Sequence, residues 1–521
     1  MNLDLFTPRR LRLASLPAGV LAAFCFPHAG WTGFVFDPTP WSFPIFSACL
    51  AVLFFSLRSC FSFRSAFWSS FLFSFGFFTA SLSWVGNALL IEGNPYAWAY
   101  PLALFGLPLI LTPFWIIPLT FSVRWIRGLP LSSSLLVFVG TLSLAEFARG
   151  HLFTGFPWNL PAMLWIEMPP LAQGFALVGP YGLTLLTLLW AAGLLALFRP
   201  GARRVSILAA VSFLIVAGYG TRLFVTVVPS PPSLFVRLVQ ANIPQSEKWD
   251  TDRLMDHFHA HLALMESAPA PNQSLPVLTL WPETALSPGY VYSPVVAAQV
   301  QKTLTHDPVG SALVTGALIA QESGRDITYA NSILAYSAAG INPARYDKHH
   351  LVPFGEYIPY QDYIPLGPVT QFTGLQAGPG PRVMQVDGLP PFIPLVCYEA
   401  IFPEALRVPT GGFSPQFIVN VTNDSWYGDS PGPSQHLDQA RARAIEQGLP
   451  LIRSAGTGIS AVVNPFGSVV SSLPYGHAGA LTISLPSPLP GLTPYRRMGE
   501  VIFLFLILVN CGFILLFRQR R

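Results

Sequence analysis

Charged side chains make up only 10% of the 521 residues, where soluble domains carry about a quarter. Lysine is nearly missing, with Lys248, Lys302 and Lys348 alone in the chain. The 52% hydrophobic content and mean hydropathy of +0.49 complete the pattern. Together they exclude an ordinary soluble protein and indicate an integral membrane protein. The net charge of +4 follows from arginines beside apolar segments, so no nucleic-acid partner is read from it.

Cysteine is scarce too, with five in all. Cys25, Cys49 and Cys511 lie in or at apolar runs, Cys60 in a loop between two of them, and Cys397 is isolated in the long polar segment. A domain on the oxidising side of a membrane usually pairs its cysteines. Cys397 has no disulfide partner there, so it is either inert packing or a free thiol kept for its chemistry.

Apolar runs near the 20 residues needed for a span occur at about 11–27, 43–57, 66–88, 100–123, 130–148, 180–198, 205–221 and 501–517. The expectation is a multi-pass α-helical membrane domain with eight transmembrane helices. Residues 1–224 would hold seven, 225–495 a catalytic domain, and 496–521 the last helix and its tail. The first run follows a basic stretch, as a signal peptide does, but seven further spans favour an uncleaved helix.

Positive residues are retained on the cytoplasmic side. Arg9, Arg10, Arg12, Arg58, Arg64, Arg124, Arg127, Arg199, Arg203, Arg204, Arg518, Arg520 and Arg521 fall on one side if all eight runs cross. Both termini are then cytoplasmic and 225–495 is extracytoplasmic.

Within that segment, strand-like and helix-like patterns alternate. "SLFVRLVQANIPQ", "LPVLTLWPETAL", "SALVTGALIA", "YANSILAYS", "PFIPLVCYE", "QFIVNVTND", "PLIRSA" and "GISAVVNP" read as strands, and 253–268, 294–305 and "SQHLDQARARAIEQG" as helices. An α/β domain is expected, with several strands buried on both faces. Residues 353–381, crowded with Pro, Gly and aromatics, read as a lid or binding loop.

Three stretches place chemistry at strand ends: "LWPETA" with Glu283, "RYDKHHLVPFGEY" with Lys348 and Glu356, and "LVCYEAIFPE" with Cys397 and Glu399. A thiolate nucleophile, a nearby cation that lowers its pKa and a carboxylate that carries the proton suffice for acyl transfer through a thioester. Taken singly, Cys397 reads as packing more readily than as a nucleophile, and Glu283 equally as a helix cap. His349 and His350 offer a rival Cys-His dyad, which spacing does not separate from Lys348. His257, His259 and His261 look like metal ligands, but only 257 and 261 share a helix face and no acidic third ligand is evident. A solvated helix is the expectation there.

The ordered set "ANIPQSEKWD", "WPETA", "KHHLVPFGEYIP", "CYEAIFPE" and "NVTNDSWYG" resembles the successive signatures of the nitrilase superfamily in its membrane-bound branch, the apolipoprotein N-acyltransferases. The resemblance implies an α-β-β-α sandwich, with Glu283 as general base, Lys348 stabilising the tetrahedral intermediate and Cys397 as nucleophile. It places Trp249, Glu356, Tyr398 and Glu399 in supporting or substrate-binding roles, with no metal and no cofactor. It also implies acyl transfer from a phospholipid, typically phosphatidylethanolamine, to the α-amine of a diacylglyceryl-cysteine lipoprotein, by a monomer in the bacterial inner membrane. Two alternatives remain beside it. A membrane-anchored amidase would use water as acceptor, and a transporter would need ionisable residues inside the membrane, where the spans offer mainly Glu146.

Overall fold

The computed structural model describes residues 7–31, 34–36, 40–228, 230–272, 274–323, 326–337, 344–359, 374–408 and 412–518. The chain forms two compact units, one of residues 1–86, 99–226 and 492–521, the other of 87–98 and 227–491.

The first unit is helical. Among the described residues, six helices are long and apolar enough to cross a membrane: Ser42–Ser59, Ala97–Gly128, Leu131–His151, Gly174–Leu197, Pro200–Thr226 and Val501–Arg518. A seventh span results if Phe63–Ser81 and Ser83–Leu90, bent by 47° at their junction, are counted together. The first apolar run instead gives a helix of 16 residues, Pro8–Ala23, short of a full crossing. The count by length and composition is thus six or seven where eight were expected. Small residues let these helices approach: a Cβ on Gly19 would stand 2.1 Å from the Phe73 carbonyl oxygen. Glu146, the one acid noticed in the spans, is fully buried, ion-paired with Arg149 and bonded by the Trp115 indole.

The second unit is a two-sheet sandwich. Its strands are β1 (Phe235–Gln240), β2 (Val277–Leu280), β3 (Ala312–Ser323), β4 (Asp326–Ser337), β5 (Ala344–Asp347), β6 (Phe392–Val396), β7 (Phe417–Thr422), β8 (Leu451–Ala455), β9 (Ser460–Val463), β10 (Val469–Leu473) and β11 (Gly479–Ser484). One sheet runs β11-β1-β2-β3-β4-β5 and the other β10-β9-β8-β7-β6. Both have a parallel centre, β1 with β2 and β3 in one, β6 with β7 and β8 in the other. The eight strands and three helices read from the sequence are all present. Strands β5, β10 and β11 escaped that reading because they are short or half-exposed, without a clean apolar period.

Period-2 alternation explains the layers. On β1, Val236 and Leu238 face the core between the sheets, with Leu278, Leu280, Val314, Phe417, Val419 and Ile452. Val239 points the other way and packs with Trp281, Leu313 and Ile319 beneath α1 (Leu254–Ser267) and α2 (Pro294–Leu304). Arg237, on that outward face, is paired with Asp307 at 2.6 Å and donates to the Ala268 carbonyl and the Thr279 hydroxyl. Helix α3 (Gly432–Gln447) packs on β8, in the other sheet. The layers therefore run helix, sheet, sheet, helix.

One glycine fixes the end of β2. Trp281 donates its N–H to Val314, Gly316 donates to Pro282, and Leu286 donates to Gly316. The Pro282–Glu283 turn thus lies flat on β3, and a Cβ at Gly316 would stand 2.5 Å from the Glu283 Cα and the Pro282 oxygen. Gly316→Ala is expected to cost about 1–3 kcal/mol of stability by overpacking, seen as a lower unfolding temperature in detergent. Gly289→Ala, with nothing within 4 Å of its Cβ position, is the matched control, and equal midpoints for the two variants would contradict the steric account.

Candidate active site

Glu283 follows β2 on a turn that Trp281 and Pro282 force out of the strand. Its carbonyl accepts from Lys248 Nζ at 3.0 Å and from the Thr284 hydroxyl at 2.8 Å. Its carboxylate accepts from Asn331 Nδ2 on β4 at 2.7 Å. Burial pushes the Glu283 carboxyl up and Glu356 adds to this, while Lys348, Asn331 and Lys248 oppose it.

Lys348 comes directly after β5, anchored by its own N–H to the Asn331 carbonyl at 2.8 Å. Its ammonium is 2.8 Å from Glu356, whose other bonds are to Asn331 Nδ2 and the Val352 N–H. Burial alone would favour the neutral amine, but Glu356, Cys397 and Glu283 outweigh it and hold the lysine pKa above its usual value.

Cys397 ends β6. Its φ of +49° lies in the left-handed region, which a residue bearing a side chain enters only when its surroundings hold it there. The chain then turns at once into a single 3₁₀ segment, Cys397–Ile401. The His436 Nε2 atom sits 3.2 Å from the Cys397 carbonyl, its Nδ1 2.9 Å from Asp424, and Asp424 accepts from Arg453 at 2.7 Å and Thr422 at 3.0 Å. Although burial opposes ionisation of Asp424, Arg453 and His436 hold its pKa down at about 2. Sequence reasoning missed Asn331, Lys248, His436, Asp424 and Arg453 as parts of the site. Asp424 lies in the "NVTNDSWYG" motif, the one signal pointing to it.

The three strand ends do meet. Glu283, Lys348 and Cys397 are all buried, and the thiol feels both Glu283 and Lys348. The expected depression of the thiol pKa is not found. Burial pushes it up to about 12, Glu283 and Asp424 add to the rise, and Lys348 and Thr422 only moderate it. The reason is that burial is the largest influence on the thiol, and the Lys348 charge offsets only part of it.

The histidine rivals are engaged elsewhere. His349 Nδ1 is 2.6 Å from Glu399 and 2.8 Å from the Tyr346 hydroxyl, and His350 stacks on Phe402 with ring centroids 3.8 Å apart. Glu399, fully buried, also accepts from the Val396 and His349 N–H groups at 2.7 and 2.8 Å. Tyr398 is buried and packs edge-on to Phe402 at 5.0 Å. Glu356 and Glu399 are therefore built into the framework around the lysine and the thiol.

Beside Glu283 lies a recess with about 480 Å³ of free space, part of it open to solvent, lined by Lys248, Trp249, His257, His261, Ser287 and Asn423 among others. The helix expected to be solvated buries His261 with Phe258 and Met265. The i, i+3, i+7 spacing of those three is a core stripe. Of the lid read at 353–381, residues 360–373 lie outside the described residues.

A carbon-nitrogen hydrolase family model matches residues 235–495, and the N-terminal domain model of apolipoprotein N-acyltransferase matches 18–193. An apolipoprotein N-acyltransferase of Rhodopseudomonas palustris is 38% identical over 446 residues, 82% of each chain. That of Brucella melitensis biotype 1 is 37% identical over 463 residues, 86% of this chain and 85% of the other. Among solved structures, an amidase from Nesterenkonia sp. aligns with 54% of this chain and 98% of its own at 20% identity, with a TM-score of 0.33. The identity to curated relatives, carried across both the helical and the sandwich portions, means that this chain belongs to the apolipoprotein N-acyltransferase family.

Proposed function

We propose that this protein is a phospholipid:apolipoprotein N-acyltransferase that works by a ping-pong reaction through a thioester on Cys397. The observation that carries the reading is the convergence of Glu283, Lys348 and Cys397, each from a separate strand end, around a protonated thiol. Phosphatidylethanolamine is the acyl donor, and the N-terminal amine of a diacylglyceryl-cysteine lipoprotein is the acceptor. This is the last step of lipoprotein maturation.

In the first half-reaction Cys397 Sγ attacks the ester carbonyl of the lipid while its proton passes to Glu283. The raised pKa of Glu283 suits it to take a proton from so weak an acid. The oxyanion is stabilised by the Lys348 ammonium, which Glu356 keeps charged and fixed. Collapse breaks the ester C–O bond, and Glu283 returns its proton to the leaving oxygen, giving a lysophospholipid. In the second half the lipoprotein amine attacks the thioester, loses a proton to Glu283, and the sulfur leaves and is reprotonated. Trp249, Tyr398 and Glu399 support the site, Trp249 from the recess wall.

The protein acts as a monomer in the bacterial inner membrane with the sandwich on the periplasmic side. Eight crossings follow if Pro8–Ala23 and the bent pair Phe63–Leu90 cross in addition to the six long helices. An even count puts both termini on one side, and the arginine distribution makes that side cytoplasmic.

Incubation with phosphatidylethanolamine should add a hydroxylamine-labile acyl group to the Cys397 peptide, read by mass. Its absence from wild type, or its persistence in Cys397→Ala, would sink the proposal. Lys348→Met should abolish the adduct, whereas His349→Ala and His350→Ala should retain much of it; the reverse pattern would favour a Cys-His dyad.

The thiol itself predicts a pH profile. With its pKa pushed from about 8.5 to about 12, Cys397 should react slowly with iodoacetamide at pH 7. The rate should rise about tenfold per pH unit through pH 10, following the thiolate fraction. A plateau below pH 9 would show a pre-formed thiolate and falsify the Glu283-coupled attack.

A further inference from the structure

The recess beside Glu283 contains polar atoms that the triad chemistry does not use. His261 is 2% exposed, and its Nδ1 lies 2.7 Å from the His257 carbonyl. A carbonyl only accepts, so Nδ1 carries the hydrogen and Nε2 is a bare acceptor. Burial pushes this histidine down to about 4, so it stays neutral at physiological pH. Its Nε2 and the Ser287 hydroxyl, 6% exposed, have no hydrogen-bond partner among the described residues, although both residues line the recess. A buried polar atom left unbonded costs about 1–3 kcal/mol, which argues that something completes it.

The same wall carries Lys248, whose ammonium is close enough to Glu283 and Cys397 for its charge to be felt at both. Its only hydrogen bond among the described residues is to the Glu283 carbonyl, so donors remain for an anion. A simple anion satisfies Lys248 but meets the lone pair of His261. A simple cation meets Lys248 as a like charge. A zwitterion with an anionic phosphate and a tip bearing N–H satisfies both, with Ser287 free to bond either part.

We propose that Lys248, Ser287 and His261 form a headgroup subsite for a phosphoethanolamine lipid. Lys248 binds the phosphate, and His261 Nε2 accepts an N–H from the terminal ammonium. This rests on the phospholipid-donor reading and adds the groups that choose the lipid. Only the glycerol separates the reacting ester from the phosphate, which fits a cation sensed at Cys397 itself. A phosphocholine tip has no N–H, so it leaves His261 Nε2 unbonded and is discriminated against.

The test is the rate of Cys397 acylation from detergent-dispersed phosphatidylethanolamine and phosphatidylcholine with identical acyl chains. Wild type should prefer the ethanolamine lipid by roughly tenfold, the worth of one hydrogen bond to a charged group. His261→Leu should bring the ratio near one, and His261→Gln, which keeps an acceptor, should restore part of it. Lys248→Met should slow both lipids alike, since both carry the phosphate. Water-soluble sn-glycero-3-phosphoethanolamine should also inhibit wild-type acylation more strongly than its phosphocholine counterpart, a measurement that needs no variant. An unchanged lipid ratio in a folded His261→Leu enzyme, or equal inhibition by the two soluble headgroups, would overturn the subsite while leaving the acyltransferase reading intact. No adduct from any phospholipid in wild type would overturn both.

Discussion

The Glu399 carboxylate is the tie on which the site depends. The strand that delivers Lys348, β5, belongs to one sheet, and the strand that delivers Cys397, β6, belongs to the other. Glu399 accepts from Val396 at the end of β6 and from Tyr346 and His349 on either side of Lys348. Stripping a carboxylate of water costs several kcal/mol, recovered only when its lone pairs are well met. Here the His349 side chain, backbone N–H groups and the Tyr346 hydroxyl meet them, and against the burial penalty His349 and the Val396 and His349 N–H groups hold the Glu399 pKa below its usual value. Ionised and saturated, this one residue fixes the thiol and the ammonium relative to each other across two sheets.

That framework sets the electrostatics of attack. A thiol buried beside a carboxylate stays protonated, because burial and Glu283 outweigh the field of Lys348. In the proposed reaction the proton moves as the sulfur attacks, and Glu283, raised by the same burial, is matched to receive it. Glu356 keeps Lys348 charged, as its proposed role at the oxyanion requires. The left-handed backbone at Cys397 is held by His436, itself bonded to Asp424, and suits the attack proposed for the sulfur.

Much of this was legible in the sequence. The alternation in "FVRLVQ" gives both faces of β1, and the isolation of Cys397 in a chain of five cysteines marks it for chemistry. The choice between Lys348 and its two histidine neighbours was not legible. Adjacent residues share one sequence position within any spacing argument, and only the bonds of His349 to Glu399 and the stacking of His350 on Phe402 separate them. His261 was misread because its neighbours His257 and His259 drew attention to metal binding, while the stripe through Phe258 and Met265 already placed it inside. The thiol pKa was misjudged for a different reason: a nearby cation implies activation only where its field exceeds the cost of burying the thiolate, and burial is a property of three dimensions. The short Pro8–Ala23 helix shows the same limit, since an apolar run does not reveal where its helix stops.

The two lysines around Glu283 make the role of pairing explicit. Both are crowded by protein atoms, and burial disfavours the charge of each. Lys348 has a carboxylate at 2.8 Å and its pKa rises. Among the described residues Lys248 has only a backbone carbonyl at 3.0 Å, and burial brings it down to about 8 although Glu283 and Cys397 pull the other way. Side-chain chemistry is identical, so the difference lies wholly in the partner. A cation that must hold a transient oxyanion has to be charged in every turnover, which Lys348 satisfies across the physiological range. A cation poised near neutrality gains charge when an anion arrives beside it, because the anion raises its pKa. In the proposed roles Lys248 is thus suited to reversible binding and Lys348 to stabilising the reaction, a division set by where one glutamate was placed.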